Sequence, residues 1–156
     1  MKKVAFFVLL VVGMLASSLG MAQTSGFGIY GGTYESIGVQ KQQGDLRFSV
    51  GIAGLWNNGV ALSGSVDSML GKSRLTERTS ASAIDLYYGL GATGTVALGT
   101  NVASFSLFPH ALGGLLFTLD GMEKYPFYFE LQAGPSFSGA GTNFPVVAGR
   151  FGVILK

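Results

Sequence analysis

Phe127-Tyr128-Phe129-Glu130-Leu131-Gln132-Ala133-Gly134 alternates at every residue. Phe127, Phe129, Leu131 and Ala133 fall on one face of an extended chain, and Tyr128, Glu130, Gln132 and Gly134 fall on the other. A period of two argues a β-strand with two unlike faces. The first face is bulky and apolar throughout. The second is small or polar and carries a single carboxylate. The last run of the chain repeats the arrangement: Val147, Gly149, Phe151, Val153 and Leu155 oppose Ala148, Arg150, Gly152 and Ile154.

Working back toward the N-terminus, Leu46, Phe48, Val50 and Ile52 oppose Arg47, Ser49, Gly51 and Ala53, and Val60, Leu62 and Val66 oppose Ala61, Ser63, Ser65 and Asp67. Ile84, Leu86, Tyr88 and Leu90 oppose Asp85, Tyr87, Gly89 and Gly91, while Phe105, Leu107, Ala111, Leu115 and Phe117 oppose Ser104, Ser106, Phe108 and His110. A soluble sandwich would place Lys, Glu and Thr on its solvent face. Here the minor face is mostly Gly, Ala and Ser with an occasional charge, the apolar-out and polar-in pattern of a transmembrane barrel.

Seven such runs emerge: Gly26 to Glu35, Asp45 to Trp56, Gly59 to Met69, Ala81 to Leu98, Val102 to Leu119, Tyr125 to Phe137 and Phe144 to Leu155. Bacterial barrels of one chain have an even strand number. Either an eighth strand is hidden in a long run, for instance within Ala81 to Leu119 where Pro109 interrupts, or the barrel is irregular; the expectation taken is eight. Asn57-Asn58-Gly59 reads as a tight hairpin turn, because Asn-Gly tolerates positive φ. Gly99-Thr100-Asn101 and Gly139 to Asn143 are further short breaks, whereas Ser36 to Gly44, Leu70 to Ser80 and Asp120 to Lys124 read as longer polar connectors. Tyr30, Tyr34, Trp56, Tyr125 and Tyr128 lie near run ends, as either an aromatic girdle or ordinary strand aromatics.

Composition agrees. Only 12% of residues are charged, glycine numbers 25, and there is no cysteine to supply disulfides, a lipoprotein anchor or zinc ligands. After Val12 no apolar stretch is long enough to cross a bilayer as a helix, so the architecture left for an apolar exported chain is a closed barrel. The N-terminus supplies the export. Met1-Lys2-Lys3, the apolar run Val4 to Leu15 and Ala16-Ser17-Ser18-Leu19-Gly20-Met21-Ala22 form a secretory signal peptide cut before Gln23. Its apolar core falls short of the ~20 residues of a spanning helix. The expected organisation is a helical signal peptide over 1–22 and one barrel domain over 23–156. Loss of Lys2 and Lys3 leaves the remaining basic residues balanced against the eight acidic ones, so no basic face for nucleic acid remains.

Tyr87-Tyr88-Gly89-Leu90-Gly91, Phe129-Glu130 with Gly134-Pro135, and Gly149-Arg150-Phe151-Gly152 resemble a family of small bacterial outer-membrane β-barrels, relatives in architecture of the OmpX and OmpA transmembrane barrels. The likeness covers roughly Ala81 to Leu155. It implies an all-β, antiparallel, up-and-down barrel of about eight strands and implies no particular activity. One departure is the C-terminus, where Ile154-Leu155-Lys156 replaces the terminal aromatic that the barrel-assembly machinery reads.

The inward face collects Arg47, Asp67, Asp85, His110, Glu130 and Arg150. Arg47 with Asp67, and Glu130 with Arg150, sit on consecutive runs and are expected to neutralise each other in a filled interior, where a lone charge is costly. The expectation is a monomeric, non-enzymatic outer-membrane protein. Its partners are outer-membrane lipids and, through the outer loops, other envelope proteins, with no cofactor or metal. Two alternatives stand beside it. One is a barrel enzyme modifying lipids through His110, with Ser104, Ser106, Asp85 or Glu130 as helpers. The other is a soluble periplasmic barrel with an apolar lumen for a ligand.

Overall fold

A computed structural model describes residues 25–56, 59–76, 82–99 and 103–156. The expected signal peptide over 1–22, the expected turns at Asn57-Asn58 and Thr100-Asn101, and residues 77–80 of the expected connector Leu70 to Ser80 lie outside the described residues. Eight strands follow in order: β1 (Ser25–Gly32), β2 (Ile37–Gln43), β3 (Leu46–Trp56), β4 (Gly59–Arg74), β5 (Ser82–Gly99), β6 (Ala103–Leu119), β7 (Phe127–Ser138) and β8 (Gly141–Leu155). Each pairs antiparallel with its neighbours in sequence. β1 closes on β8, with Phe27 opposite Leu155 and Gly32 opposite Arg150. Closure leaves no strand edge unpaired, the condition a sheet must meet to survive in lipid.

The eighth strand is not where the sequence placed it. It is β2, inside the stretch Ser36 to Gly44 read as a connector. The segment Ala81 to Leu119 is two strands only, and Pro109 sits within β6 opposite Ala92 without ending it. In β2 the residues Ile37 and Val39 face out and Gly38 and Gln40 face in. The alternation is intact, but the inward residues are polar and Lys41-Gln42-Gln43 follows, so the strand has a loop's composition. It turns into β3 through Gly44, whose φ of 59° suits glycine.

An even strand count puts both ends of the barrel chain on one rim. That rim also carries the strand ends Gln43 and Leu46, Arg74 and Ser82, and Leu119 and Phe127. The opposite rim carries the ends Gly32 and Ile37, Trp56 and Gly59, Gly99 and Ala103, and Ser138 and Gly141, separated in sequence by two to four residues. The alternation read from sequence in β3 through β8 holds: Leu62, Val66, Leu90, Phe105, Phe129, Leu131 and Phe151 are exposed on the outside. Arg47, Ser63, Asp67, Thr93, His110, Glu130 and Arg150 are buried inside. Of the five aromatics read as either a girdle or ordinary strand residues, Tyr30 and Tyr128 are buried in the lumen and Tyr34 stacks on Phe108, so these three fill the interior; Tyr125 is exposed just before β7, and the Trp56 side chain lies outside the described residues.

Candidate functional site

The lumen is organised in three tiers along its axis, set by which inward residue each strand brings to each level. On the rim that carries the termini, Met69, Leu116 and Ile154 pack against Tyr87, Leu112 and Tyr128. At mid-height lies a cluster of ionic side chains. Toward the opposite rim, β3, β4 and β5 present the hydroxyls of Ser49, Ser63, Ser65, Thr93 and Thr95, all buried.

The ionic tier begins at Arg47 and Asp67, opposite each other in the β3–β4 ladder. Arg47 Nε and Nη2 donate to Asp67 Oδ2 at 2.9 and 2.8 Å. The same Nη2 donates across the barrel to Glu130 at 2.7 and 2.8 Å. Glu130 is fully buried and also accepts from Tyr87 Oη at 3.0 Å and Gln132 Nε2 at 2.8 Å. Glu130 and Arg150 are Cα partners in the β7–β8 ladder, yet their side chains diverge. Arg150 donates to Glu35 Oε2 at 2.6 Å and, more weakly, to Asp67 Oδ2 at 3.4 Å. The guanidinium lies over the Tyr30 ring, 4.4 Å from its centroid. The pairing expected between Glu130 and Arg150 is thus replaced by a cross-lumen exchange: Glu130 takes Arg47, and Arg150 takes Glu35.

His110 sits beside this exchange. Its Nε2 lies 3.1 Å from Asp67 Oδ1 and its Nδ1 lies 3.0 Å from the Phe108 carbonyl oxygen. Both partners are acceptors. Beside the ring, the two guanidiniums of Arg47 and Arg150 face the three carboxylates of Glu35, Asp67 and Glu130. The His110 ring also stacks on Phe108, which stacks in turn on Tyr34. Gly91 makes the close approach of Asp67 and His110 feasible, because a Cβ there would overlap the Asp67 carboxylate and crowd His110 Nε2.

Of the six residues singled out in the sequence, five share this tier. Asp85 does not. It lies on the β4–β5 hairpin at the termini rim, where Lys72 and Arg74 reach it at 2.9 and 3.2 Å. Bulging of β4 between Met69 and Gly71 shifts the register and turns those two cations to the Asp85 side. Ser104, Ser106, Asp85 and Glu130 make no hydrogen bond with His110; Ser106 instead meets Tyr34 Oη at 3.3 Å.

Sequence reasoning missed Glu35, Gln40, Tyr87, Tyr128 and Gln132. Tyr87, Tyr128 and Gln132 carried a signal, since they share the inward register with Asp85 and Glu130. Glu35 closed the first run with the parity of the outward residues Phe27 and Ile29, so alternation pointed it away from the lumen; β1 instead ends at Gly32, and the connection 33–36 folds Glu35 back inside to accept from Ser63 at 2.6 Å and from Arg150. Tyr34 and Glu35 together plug that end. The hydroxyls of Tyr30, Ser49, Thr93 and Thr95 have no hydrogen-bond partner among the described residues.

Among solved structures the chain is similar to Ail, the attachment invasion locus protein of Yersinia pestis. The match has 12% identity over 83% of this chain and 91% of that chain, with a TM-score of 0.20. That likeness is too loose to carry a role from one protein to the other. No family model and no curated protein matches the chain.

Proposed function

We propose that this protein is an integral outer-membrane β-barrel that neither conducts freely nor catalyses a reaction, and that it serves the envelope as a membrane-embedded structural or docking element. One observation carries the reading. The outside of the barrel exposes Phe27, Ile29, Leu90, Phe129, Leu131 and Phe151, while the inside buries an ionic network. Water on that exterior would meet an apolar surface far larger than soluble proteins display. Lipid meets it at no such cost. The soluble ligand-binding alternative requires the opposite disposition of faces.

The non-catalytic reading is supported by the setting of His110, which is buried, stacked and hydrogen-bonded through both ring nitrogens to Asp67 and the Phe108 carbonyl, with no hydroxyl hydrogen-bonded to it among the described residues. The non-conducting reading is supported by side chains that fill the eight-stranded interior at mid-height. The docking surface we infer is the rim that carries the termini. Lys41, Asp45, Lys72, Arg74, Asp120, Glu123, Lys124 and Lys156 all lie toward that end, and the other rim has no exposed charged side chain among the described residues. We place both termini in the periplasm, which puts the longer connections there as well, the reverse of the usual short periplasmic turns and long outer loops; envelope contacts then fall on the periplasmic side.

Cell fractionation tests the location. The protein should be recovered in the sarkosyl-insoluble outer-membrane fraction and should migrate faster on gels unheated than boiled. Recovery in the soluble periplasm without detergent would overturn the reading.

A further inference from the structure

The termini rim holds a cavity of about 200 Å³ that opens at the barrel mouth. Arg47, Tyr87 and Tyr128 form its floor, and Met69, Leu116 and Ile154 form its wall. Lys72, at the lip, is held by Asp85. A closed apolar cavity of about 150 Å³ accepts a benzene-sized guest, so this one has room for such a ring with a small polar substituent.

The floor decides which substituent. Arg47 binds Asp67 and Glu130 through Nε and Nη2, and Nη1 takes no part in those bonds. Tyr87 and Tyr128 already donate, to Glu130 and Gln40. The donor left at the floor is therefore a guanidinium N–H whose positive charge two carboxylates within 2.8 Å already balance. An incoming anion would meet those carboxylates as well as the cation. A neutral carbonyl takes the hydrogen bond without that repulsion. Asp45, Arg47, Tyr87 and Lys72, which line the cavity, lie toward the termini rim, so its occupant arrives from the aqueous side of that rim.

We propose that this mouth is a binding site for a small neutral molecule with an apolar body of ring or hexyl size and one carbonyl group, held by Arg47 Nη1 below and by Met69, Leu116 and Ile154 around. The site goes beyond the structural role proposed above and gives the barrel a ligand.

The test uses the mature chain folded in phospholipid nanodiscs and labelled with ¹³C-methyl methionine, so that Met69 reports the wall. Benzamide, benzoate and toluene serve as probes. Benzamide should shift the Met69 signal saturably. Toluene lacks the acceptor and should bind roughly tenfold more weakly, as expected for one hydrogen bond to a charged donor. Benzoate should also bind roughly tenfold more weakly, because of the flanking carboxylates. Leu116→Trp and Ile154→Trp fill the cavity and should each abolish the benzamide shift while leaving heat-modifiable migration unchanged. The proposal is overturned if benzamide gives no saturable shift, or if benzoate or toluene binds as tightly. It is equally overturned if the shift survives in both Trp variants. The benzamide, benzoate and toluene comparison stands on the unmodified chain if neither variant folds. Failure to enter nanodiscs at all would count against the membrane reading instead.

Discussion

Glu130 shows how much a single residue holds in this lumen. It receives Arg47, Tyr87 and Gln132 at full burial, and its own ladder partner Arg150 is satisfied elsewhere. Glu130→Gln keeps the shape and removes the charge, leaving Arg47 with Asp67 alone. Breaking a buried pair in this way costs about 3–5 kcal/mol, and the variant should show that loss as a lower urea midpoint in lipid vesicles. An unchanged midpoint would mean that the network is not structural. Gly91 makes a second, steric prediction. Gly91→Ala inserts a methyl group where the Asp67 carboxylate lies against His110. It should destabilise the barrel by about 1–3 kcal/mol, the usual cost of overpacking. Pairing Gly91→Ala with Asp67→Asn should give a loss smaller than the sum of the two, since both act on one contact. Additive losses would place the strain elsewhere.

The stretch Phe127 to Gly134 of β7 alternates strictly between exposed and buried residues, and it allows a depth-dependent prediction. Leu131 faces outward near the middle of the strand, and Leu155 faces outward near the end of β8. Leu131→Arg should cost about 2–4 kcal/mol in a bilayer and Leu155→Arg about 0–1, because the penalty for a lipid-facing cation falls toward the interface. Equal penalties, or none, would argue that these faces meet water. The same strand shows why much of the fold was legible. In β3, β7 and β8 the outward face is unbroken in its apolarity, so the period of two survives any reading. β2 escaped because its outward signal is only Ile37 and Val39 before the glutamines begin. The ionic tier was legible as a set of inward charges, but its pairing was not. Backbone register predicts Cα neighbours, whereas long Arg and Glu side chains cross a narrow lumen and choose partners on the far wall. Glu35 belongs to a connection, where the parity of β1 no longer applies.

At the scale of the whole molecule the barrel is polarised. Among the described residues, one rim holds the termini and the exposed charges, and the other has no charged side chain apart from the inward-turned Glu35. Trypsin therefore has its exposed sites among the described residues, Arg74 and Lys124 included, on one side only. Intact cells should show no cleavage, and cells with a permeabilised outer membrane should show cleavage. Cutting on intact cells would reverse the orientation. The central claim is that lipid covers the apolar exterior, and spin labels placed singly along β7 in bilayers test it most directly. Labels at Phe127, Phe129, Leu131 and Ala133 should collide readily with oxygen dissolved in the bilayer and hardly with a water-soluble nickel chelate. A label at Ala140, in the connection after β7, should respond to the chelate instead. If the chelate reaches positions 129 and 131 as readily as position 140, the exterior faces water and the account is contradicted.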